Sequence, residues 1–358
     1  MTIHQLLGEA RNMGASDVHL TKGLPPMLRI NGQLMPYGSD SDYAAVERLI
    51  EELTDNEQKL QLQDGRDLDF AFLAENNTRH RVNIYRQKGH YCAAIRLLQE
   101  QMPNIDEMDL PPVLKDLAML PRGLVVVTGP TGSGKSTTLA AMLDYINSRR
   151  RCHILTIEDP IEYSHQHKLA MVNQRELGVD VPTYSLALRA ALREDPDVIM
   201  VGEMRDRDTI SAAITAAETG HLVLSTLHTI GAADTVDRII DVFEATHQQQ
   251  IRVQLATVLK AVVTQQLLPR ADGSGRIAAF ELMVATDAIC NLIRENKVYQ
   301  INSAIQTGAR LGMRTLDGDL AGLVNRGICN QEDAEAYAAD KENFRRFLSA
   351  NTRNSFGF

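Results

Sequence analysis

The sequence has little of what marks a secreted, metal-scaffolded or membrane-spanning chain. Its four cysteines, Cys92, Cys152, Cys290 and Cys329, are scattered over 358 residues and none forms a CxxC pair. Neither a zinc site nor a disulfide framework is therefore expected. No apolar run approaches the roughly 18 residues that cross a bilayer, and no charged-then-apolar leader opens the chain. The expectation is a soluble, cytoplasmic protein that reaches a membrane only through a partner. Surplus positive charge is missing too. The net charge is −9, which argues against a nucleic-acid partner held by electrostatics. No internal repeat or low-complexity segment interrupts the chain.

What is present is one dense motif, Gly129-Pro130-Thr131-Gly132-Ser133-Gly134-Lys135-Ser136, followed by Thr137. It satisfies the phosphate-loop pattern GxxxxGK[ST] at every fixed position. Residues 124–128 before it are a β-branched run that reads as a buried parallel strand, and 137–143 after it read as helix. A strand, a Gly-rich turn and a helix start form an anion site, because backbone N–H groups and the helix dipole converge there. Lys135 is placed to reach β- and γ-phosphates and Ser136 to hold Mg²⁺, so ATP and Mg²⁺ are the expected ligands. A chance Gly-rich turn would not bring the Lys-Ser pair and both flanking elements with it.

The chain divides into four stretches. Residues 1–98 read as a small α+β domain, with strands at 17–20, 27–30, 69–73, 80–86 and 92–98 and a helix at 43–53 capped by Ser41 or Asp42. Asn31-Gly32 is a two-residue hairpin signal. Residues 99–112, with Pro103, Pro111 and Pro112 together with Asp106, Glu107 and Asp109, read as a linker. Residues 113–270 alternate strand and helix, with strands at 124–128, 154–157, 198–201 and 222–226, which argues α/β with a doubly wound parallel sheet. From Gln248 onward a helical stripe of Ile251, Leu255, Val258, Leu259, Val262 and Val263 is expected. Residues 271–358 read as mostly helical after one strand at 276–282; the helix at 331–339 is capped by Asn330, and 351–358 form a frayed tail.

In an open parallel sheet the ligand lies at the carboxyl ends of the strands, and the remaining polar motifs fall there. Glu158-Asp159-Pro160-Ile161-Glu162 ends one strand. Glu162 is the candidate base that polarises water, with Glu158 and Asp159 in supporting or metal-water contacts. Val198 to Val201 is an apolar strand followed by Gly202-Glu203. Gly202 stands where the second nucleotide motif has its Asp, so Glu203 is the candidate acid for Mg²⁺, directly or through water. His221 and His228 flank the strand at 222–226. His228 is a candidate γ-phosphate sensor, His221 the weaker of the two, and a structural imidazole is the alternative for each.

Taken together, the stretches 128–138, 156–163, 202–206 and 219–229 resemble the Walker A, Asp box, Walker B and His box of the secretion ATPases of the type II and type IV pilus systems. Within that superfamily the chain is most similar to the type IV pilus retraction ATPases. The resemblance extends to Gly14-Ala15-Ser16-Asp17-Val18-His19-Leu20 near the start. It implies a PAS-like N-terminal α+β domain over 1–98, then a RecA-like P-loop ATPase domain with a helical C-terminal part, assembled as a homo-hexamer that binds ATP. It also implies that Glu162 is the catalytic glutamate, that Glu203 is the Walker B glutamate, and that Arg81 and Arg96 reach toward nucleotide from the N-terminal domain. Composition alone would leave those two arginines as ordinary strand residues. The implied partners are an inner-membrane pilus platform protein and a paralogous retraction ATPase. Pilus assembly, type II secretion and an accessory role with weak turnover are the alternatives. A recombinase or helicase is disfavoured by the acidic balance. One departure stands out: the family's Ala-Ile-Arg-Asn-Leu motif reads Ala288-Ile289-Cys290-Asn291-Leu292 here.

Overall fold

The computed structural model describes residues 1–30, 32–38, 43–74, 78–98 and 102–354. Asn31, Ser41, Asp42, linker positions 99–101 and tail positions 355–358 lie outside the described residues. The chain forms two compact units: residues 1–101 with 162–164, and residues 102–161 with 165–358.

The first unit contains α1 (Ile3–Asn12), β1 (Ala15–Leu20), β2 (Met27–Ile30), β3 (Gln33–Pro36), α2 (Tyr43–Glu52), α3 (Asn56–Gln63), β4 (Leu68–Leu73), β5 (Arg79–Gln87) and β6 (His90–Leu97). A capping box in which Gln5 N–H donates to Thr2 and Thr2 N–H donates to the Gln5 side chain starts α1. Its Ile3, Leu6, Leu7 and Ala10 face the core. The strands form an antiparallel sheet in the order β3-β2-β1-β6-β5-β4. Along β5 burial alternates strictly, with His80, Val82 and Ile84 inward. Arg81 and Arg96 are cross-strand partners on the opposite, solvated face. The short strand β3 and the helix α3 go unannounced in the sequence. Every β3 side chain is exposed, and α3 buries only Leu62, so neither carries a periodic apolar signal.

The second unit follows with α4 (Val113–Ala118), β7 (Gly123–Thr128), α5 (Lys135–Asn147), β8 (His153–Glu158), β9 (Met171–Glu176), α6 (Tyr184–Ala191), β10 (Val198–Val201), α7 (Arg207–Glu218), β11 (Leu222–Leu227), α8 (Ala232–Asp241), α9 (Ala245–Val258), β12 (Leu259–Pro269) and β13 (Arg276–Val284). Helices α10 (Asp287–Arg294), α11 (Ile301–Thr307), α12 (Leu316–Asn325), α13 (Gln331–Tyr337) and α14 (Lys341–Asn354) complete it. The sheet runs β13-β12-β7-β11-β10-β8-β9. All its pairings are parallel except the β12–β13 hairpin. Alternate residues of each central strand enter two different cores, Val126, Ile157, Ile199 and Val223 on one side and Val125, Ile154, Met200 and Leu224 on the other. That is why these strands read as continuous apolar runs. Among the described residues no helix is long and apolar enough to cross a membrane.

Three expectations are corrected. The apolar stripe at 251–263 is not one helix. Helix α9 stops at Val258, Leu259 turns extended, and Val262 and Val263 belong to strand β12 beside β7. A strand buried on both faces and a buried helix look alike in sequence, and no Gly or Pro separates them here. Residues 102–112 do not form a free linker, because Ile105 and Leu110 are buried in the second unit's core beside Leu114. Residues 351–354 continue α14, which Phe344 anchors as a fully buried side chain. A division at residue 270 falls in the turn between β12 and β13, which pair over nine positions from Ala261↔Val284 to Pro269↔Arg276. On β13, Glu281 is only 8% exposed. Its carboxyl accepts the N–H of Ala232, the first residue of α8, at 2.7 Å.

Candidate functional site

Four neighbouring parallel strands, β7, β11, β10 and β8, deliver their carboxyl ends to one edge of the sheet. The phosphate loop leaves β7, His228 follows β11, Glu203 follows β10, and Glu158 closes β8. Topology places these four at the carboxyl ends of their strands.

The loop is shaped by what stands behind it. Gly129 has φ +137°, and a Cβ there would lie 2.2 Å from the Gln265 carbonyl oxygen on β12. Gly134, at φ +91°, is the N-cap of α5, and its Cβ would lie 2.8 Å from Gln265 Nε2. Both positions therefore need glycine for conformation and for space. Gln265 is itself buried, and its Oε1 accepts the Thr138 hydroxyl at 2.7 Å. Thr128 and Thr264 bond hydroxyl to hydroxyl at 2.8 Å. Lys135, only 8% exposed, curls back so that Nζ donates to the Gly129 carbonyl at 2.8 Å and to the Pro130 carbonyl at 3.0 Å. Ser133 Oγ is buried with no hydrogen-bond partner among the described residues. Thr131, Gly132 and Ser136 are exposed, and Pro130 and Thr137 are half-buried.

A buried ammonium that donates to two loop carbonyls, together with an orphaned hydroxyl, is chemically suited to phosphate oxygens. Among the described residues no group of three or more His, Cys, Asp and Glu is placed to hold a metal ion. Mg²⁺ keeps several waters and needs one or two protein oxygens beside the phosphates. The Ser136 hydroxyl and the Glu203 carboxylate are oxygens of the kind it takes.

Glu203 lies between Arg205 and His228. Arg205 Nε is 2.8 Å from Oε2, and His228 Nε2 is 3.3 Å from Oε1. Burial pushes the Glu203 carboxyl up, but the Arg205 hydrogen bond and the charges of His228 and Arg205 outweigh it and hold it below the ordinary carboxylate value. Glu158 is buried and accepts from the Thr156 hydroxyl at 2.6 Å and from Gln174 Nε2 at 3.0 Å. Asp159 is exposed. Thr226 Oγ1 donates to the Gly202 carbonyl at 2.5 Å, which fixes the turn leading to Glu203.

Within the second unit, one candidate is not brought to this edge. His221 begins β11 at the opposite end, where its Nδ1 lies 2.9 Å from the Ala216 carbonyl oxygen and 3.2 Å from Thr219 Oγ1; it is a structural imidazole. Glu162 is exposed, groups with the first unit, and has no hydrogen-bond or ion-pair partner among the described residues. Arg81 and Arg96 also belong to the first unit. Arg81 forks onto Asp69 at 3.1 and 2.6 Å, and Arg96 Nε donates to Asp17 at 3.1 Å.

Sequence reasoning missed the residues that brace the site. Gln265 and Thr264 lie just beyond the misassigned stripe, on the strand it concealed. Arg205 follows Glu203 closely enough to be noticed but carries no pattern of its own. Tyr184, first residue of α6, places its hydroxyl 2.9 Å from where a Gly202 Cβ would be. The one available signal for it was the glycine in an acid's place.

A parallel α/β sheet with a phosphate loop at one strand end and carboxylates at the next defines a nucleotide-binding core of the P-loop class. The family is narrower than that class. The profile of the family described as "Type II/IV secretion system protein" matches residues 1–327, and the chain belongs to that family. It is 48% identical over 345 residues, 96% of this chain and 100% of the relative, to the Pseudomonas aeruginosa protein named "Type IV pilus retractation ATPase PilT". It is 46% identical over 318 residues, 88% of this chain and 85% of the relative, to the Neisseria gonorrhoeae "Twitching motility protein". The solved structure described as "Crystal Structure of the Pilus Retraction Motor PilT and Bound ADP" matches with a TM-score of 0.91 at 43% identity, covering 97% of this chain and 99% of that one.

Proposed function

We propose that this chain is an ATP-hydrolysing, homo-hexameric motor that powers type IV pilus retraction and so twitching motility. The observation that carries the reading is the convergence of the phosphate loop, Glu158, Glu203 and His228 on one sheet edge in a chain of this family. Lys135 exchanges its two carbonyl partners for β- and γ-phosphate oxygens, and the loop amides with the α5 N-terminus take up the rest of their charge. Ser136 and Glu203 would hold Mg²⁺, which when bound would supply positive charge beside those phosphates. Glu162 orients and deprotonates the attacking water. His228, on Glu203, senses the γ-phosphate. Arg81 and Arg96 supply positive charge in the transition state. The first unit is read as PAS-like and the second as RecA-like with a helical C-terminal part. The partners are an inner-membrane pilus platform protein and a paralogous ATPase, and the protein works in the cytoplasm at that platform.

Deletion of the gene tests the reading. Loss of retraction leaves surface pili abundant and twitching absent, whereas loss of assembly leaves no pili. A second reading, an accessory ATPase of weak turnover beside a paralogue, is favoured by one observation, Cys290 in the place of the motif arginine. Steady-state turnover of the purified chain separates the two.

A further inference from the structure

The proposal concerns Tyr184 and rests on the hydrolysis reading just given. Gly202 has no left-handed backbone to explain it, since its φ is not among the positive ones. Space explains it instead. A Cβ at 202 would stand 2.9 Å from the Tyr184 hydroxyl, 3.4 Å from the Ile157 carbonyl oxygen and 3.5 Å from the Glu158 Cα. The phenol occupies the volume that a side chain at 202 would take. Tyr184 reaches it from the first turn of α6, whose start is set by Thr183 Oγ1 accepting the Leu186 N–H at 3.3 Å.

The surroundings of that hydroxyl are acidic. Burial first, then the charges of Asp159, Glu203 and Glu158, against that of Arg205, push its ionisation above the ordinary value. A phenol is a neutral O–H near pH 7 without any shift, and no hydrogen-bond partner for this one occurs among the described residues. A phenol in such a place is a donor awaiting an acceptor. The acceptors that arrive with Mg-nucleotide are water and phosphate oxygens.

We propose that the Tyr184 hydroxyl, lodged in the space left by the glycine at 202 beside Glu203, is a positioning group of the nucleotide site that donates a hydrogen bond to a water or phosphate oxygen brought by Mg-nucleotide. A carboxylate there would add a fourth negative charge; a phenol supplies direction without charge. Loss of one such hydrogen bond corresponds to roughly a tenfold change.

The test uses the full chain. Tyr184→Phe keeps the ring and removes only the oxygen. The expected result is an unchanged melting temperature, a KM for ATP within about threefold, and a kcat lower by about tenfold. A titration with N-methylanthraniloyl-ADP at rising Mg²⁺ should also need about threefold more Mg²⁺ for half-maximal binding. Gly202→Ala should push the phenol aside and lower kcat similarly, yet add little in the Tyr184→Phe background, because the clash is gone. Wild-type kcat together with wild-type Mg²⁺ dependence in Tyr184→Phe overturns the proposal, as does full additivity of the two substitutions. If the wild-type chain itself turns over no ATP, the hydrolysis reading fails, and the Mg²⁺ titration alone decides Tyr184.

Discussion

Glu203 and Glu162 present two carboxylates in opposite electrostatic circumstances. Glu203 is gripped by Arg205 and His228, which lower its basicity and aim its oxygens. Glu162 is exposed and unpartnered among the described residues, so its carboxylate is available to water. Glu162→Gln should therefore keep nucleotide affinity and lose turnover by about 10²-fold or more, the usual worth of a positioned general base. Single-turnover and equilibrium-binding measurements check this. Wild-type turnover in Glu162→Gln beside a dead Glu203→Gln would exchange the two roles. Cys290 is the other residue on which sequence and structure meet. Its thiol is 8% exposed, packs in the core of the second unit, and feels the positive charges of Lys260 and Arg294. Cys290→Arg places a third cation there, partly desolvated. The expected outcome is a stability loss of roughly 1–3 kcal/mol, read as a lower melting temperature, with basal turnover at 25 °C nearly unchanged and twitching altered.

At the scale of elements, β12 does more than fill the sheet. It presses its backbone and the Gln265 side chain against the phosphate loop from behind. Two loop glycines separate this effect from simple conformational need. Gly132 has φ +79° and open space around it, so Gly132→Ala meets only the left-handed penalty of roughly 1–2 kcal/mol. Gly129→Ala meets that and the backbone oxygen 2.2 Å away. Thermal melts and nucleotide titrations should show Gly129→Ala much the worse of the pair; equal effects would mean that β12 gives way. The loop was legible because its residue types are forced by phosphate chemistry at fixed spacing. Its support was not, because β12 satisfies both a helical and a strand reading and only its neighbour β7 decides. The same holds for β9: its buried pattern alternates irregularly, and pairing with β8 defines it. The acids at 158 and 203 could be found from strand ends. Tyr184 could not, since a tyrosine opening an amphipathic helix reads as packing.

At the scale of the molecule, each compact unit carries a buried imidazole. His80, in the first, is held down to a pKa of about 4 by burial and then by Arg11 and His4. His165, in the second, is held to about 4 by burial, with Lys168 assisting and Asp144 opposing. Both are neutral when folded and take up a proton at the ordinary value of 6.5 when unfolded. The unfolded state thus binds more protons between pH 6.5 and 4, and stability falls as pH drops through that window. Urea melts at pH 7 and pH 5 should differ by about 2 kcal/mol for each histidine, and a neutral replacement such as His165→Gln should flatten its share. The arginines make a different demand. Arg81 and Arg96 are occupied by Asp69 and Asp17, exposed pairs worth little, so they are readily surrendered. Arg81→Ala and Arg96→Ala should lower turnover by at least about 10²-fold while leaving ATP affinity within a few-fold, as for arginine fingers; turnover must be measured in variants that sediment as normal rings. Full activity in both returns them to surface duty. Glu281 sets a further condition on any such motor. Its carboxyl accepts the leading N–H of α8, which opens four residues after His228, at 2.7 Å. It works as a rivet between β13 and that helix. The start of α8 cannot slide away from β13 without stripping a buried carboxyl of a donor, a penalty of roughly 1–3 kcal/mol, so a displacement arriving behind His228 is passed on to β13 rather than absorbed as slack.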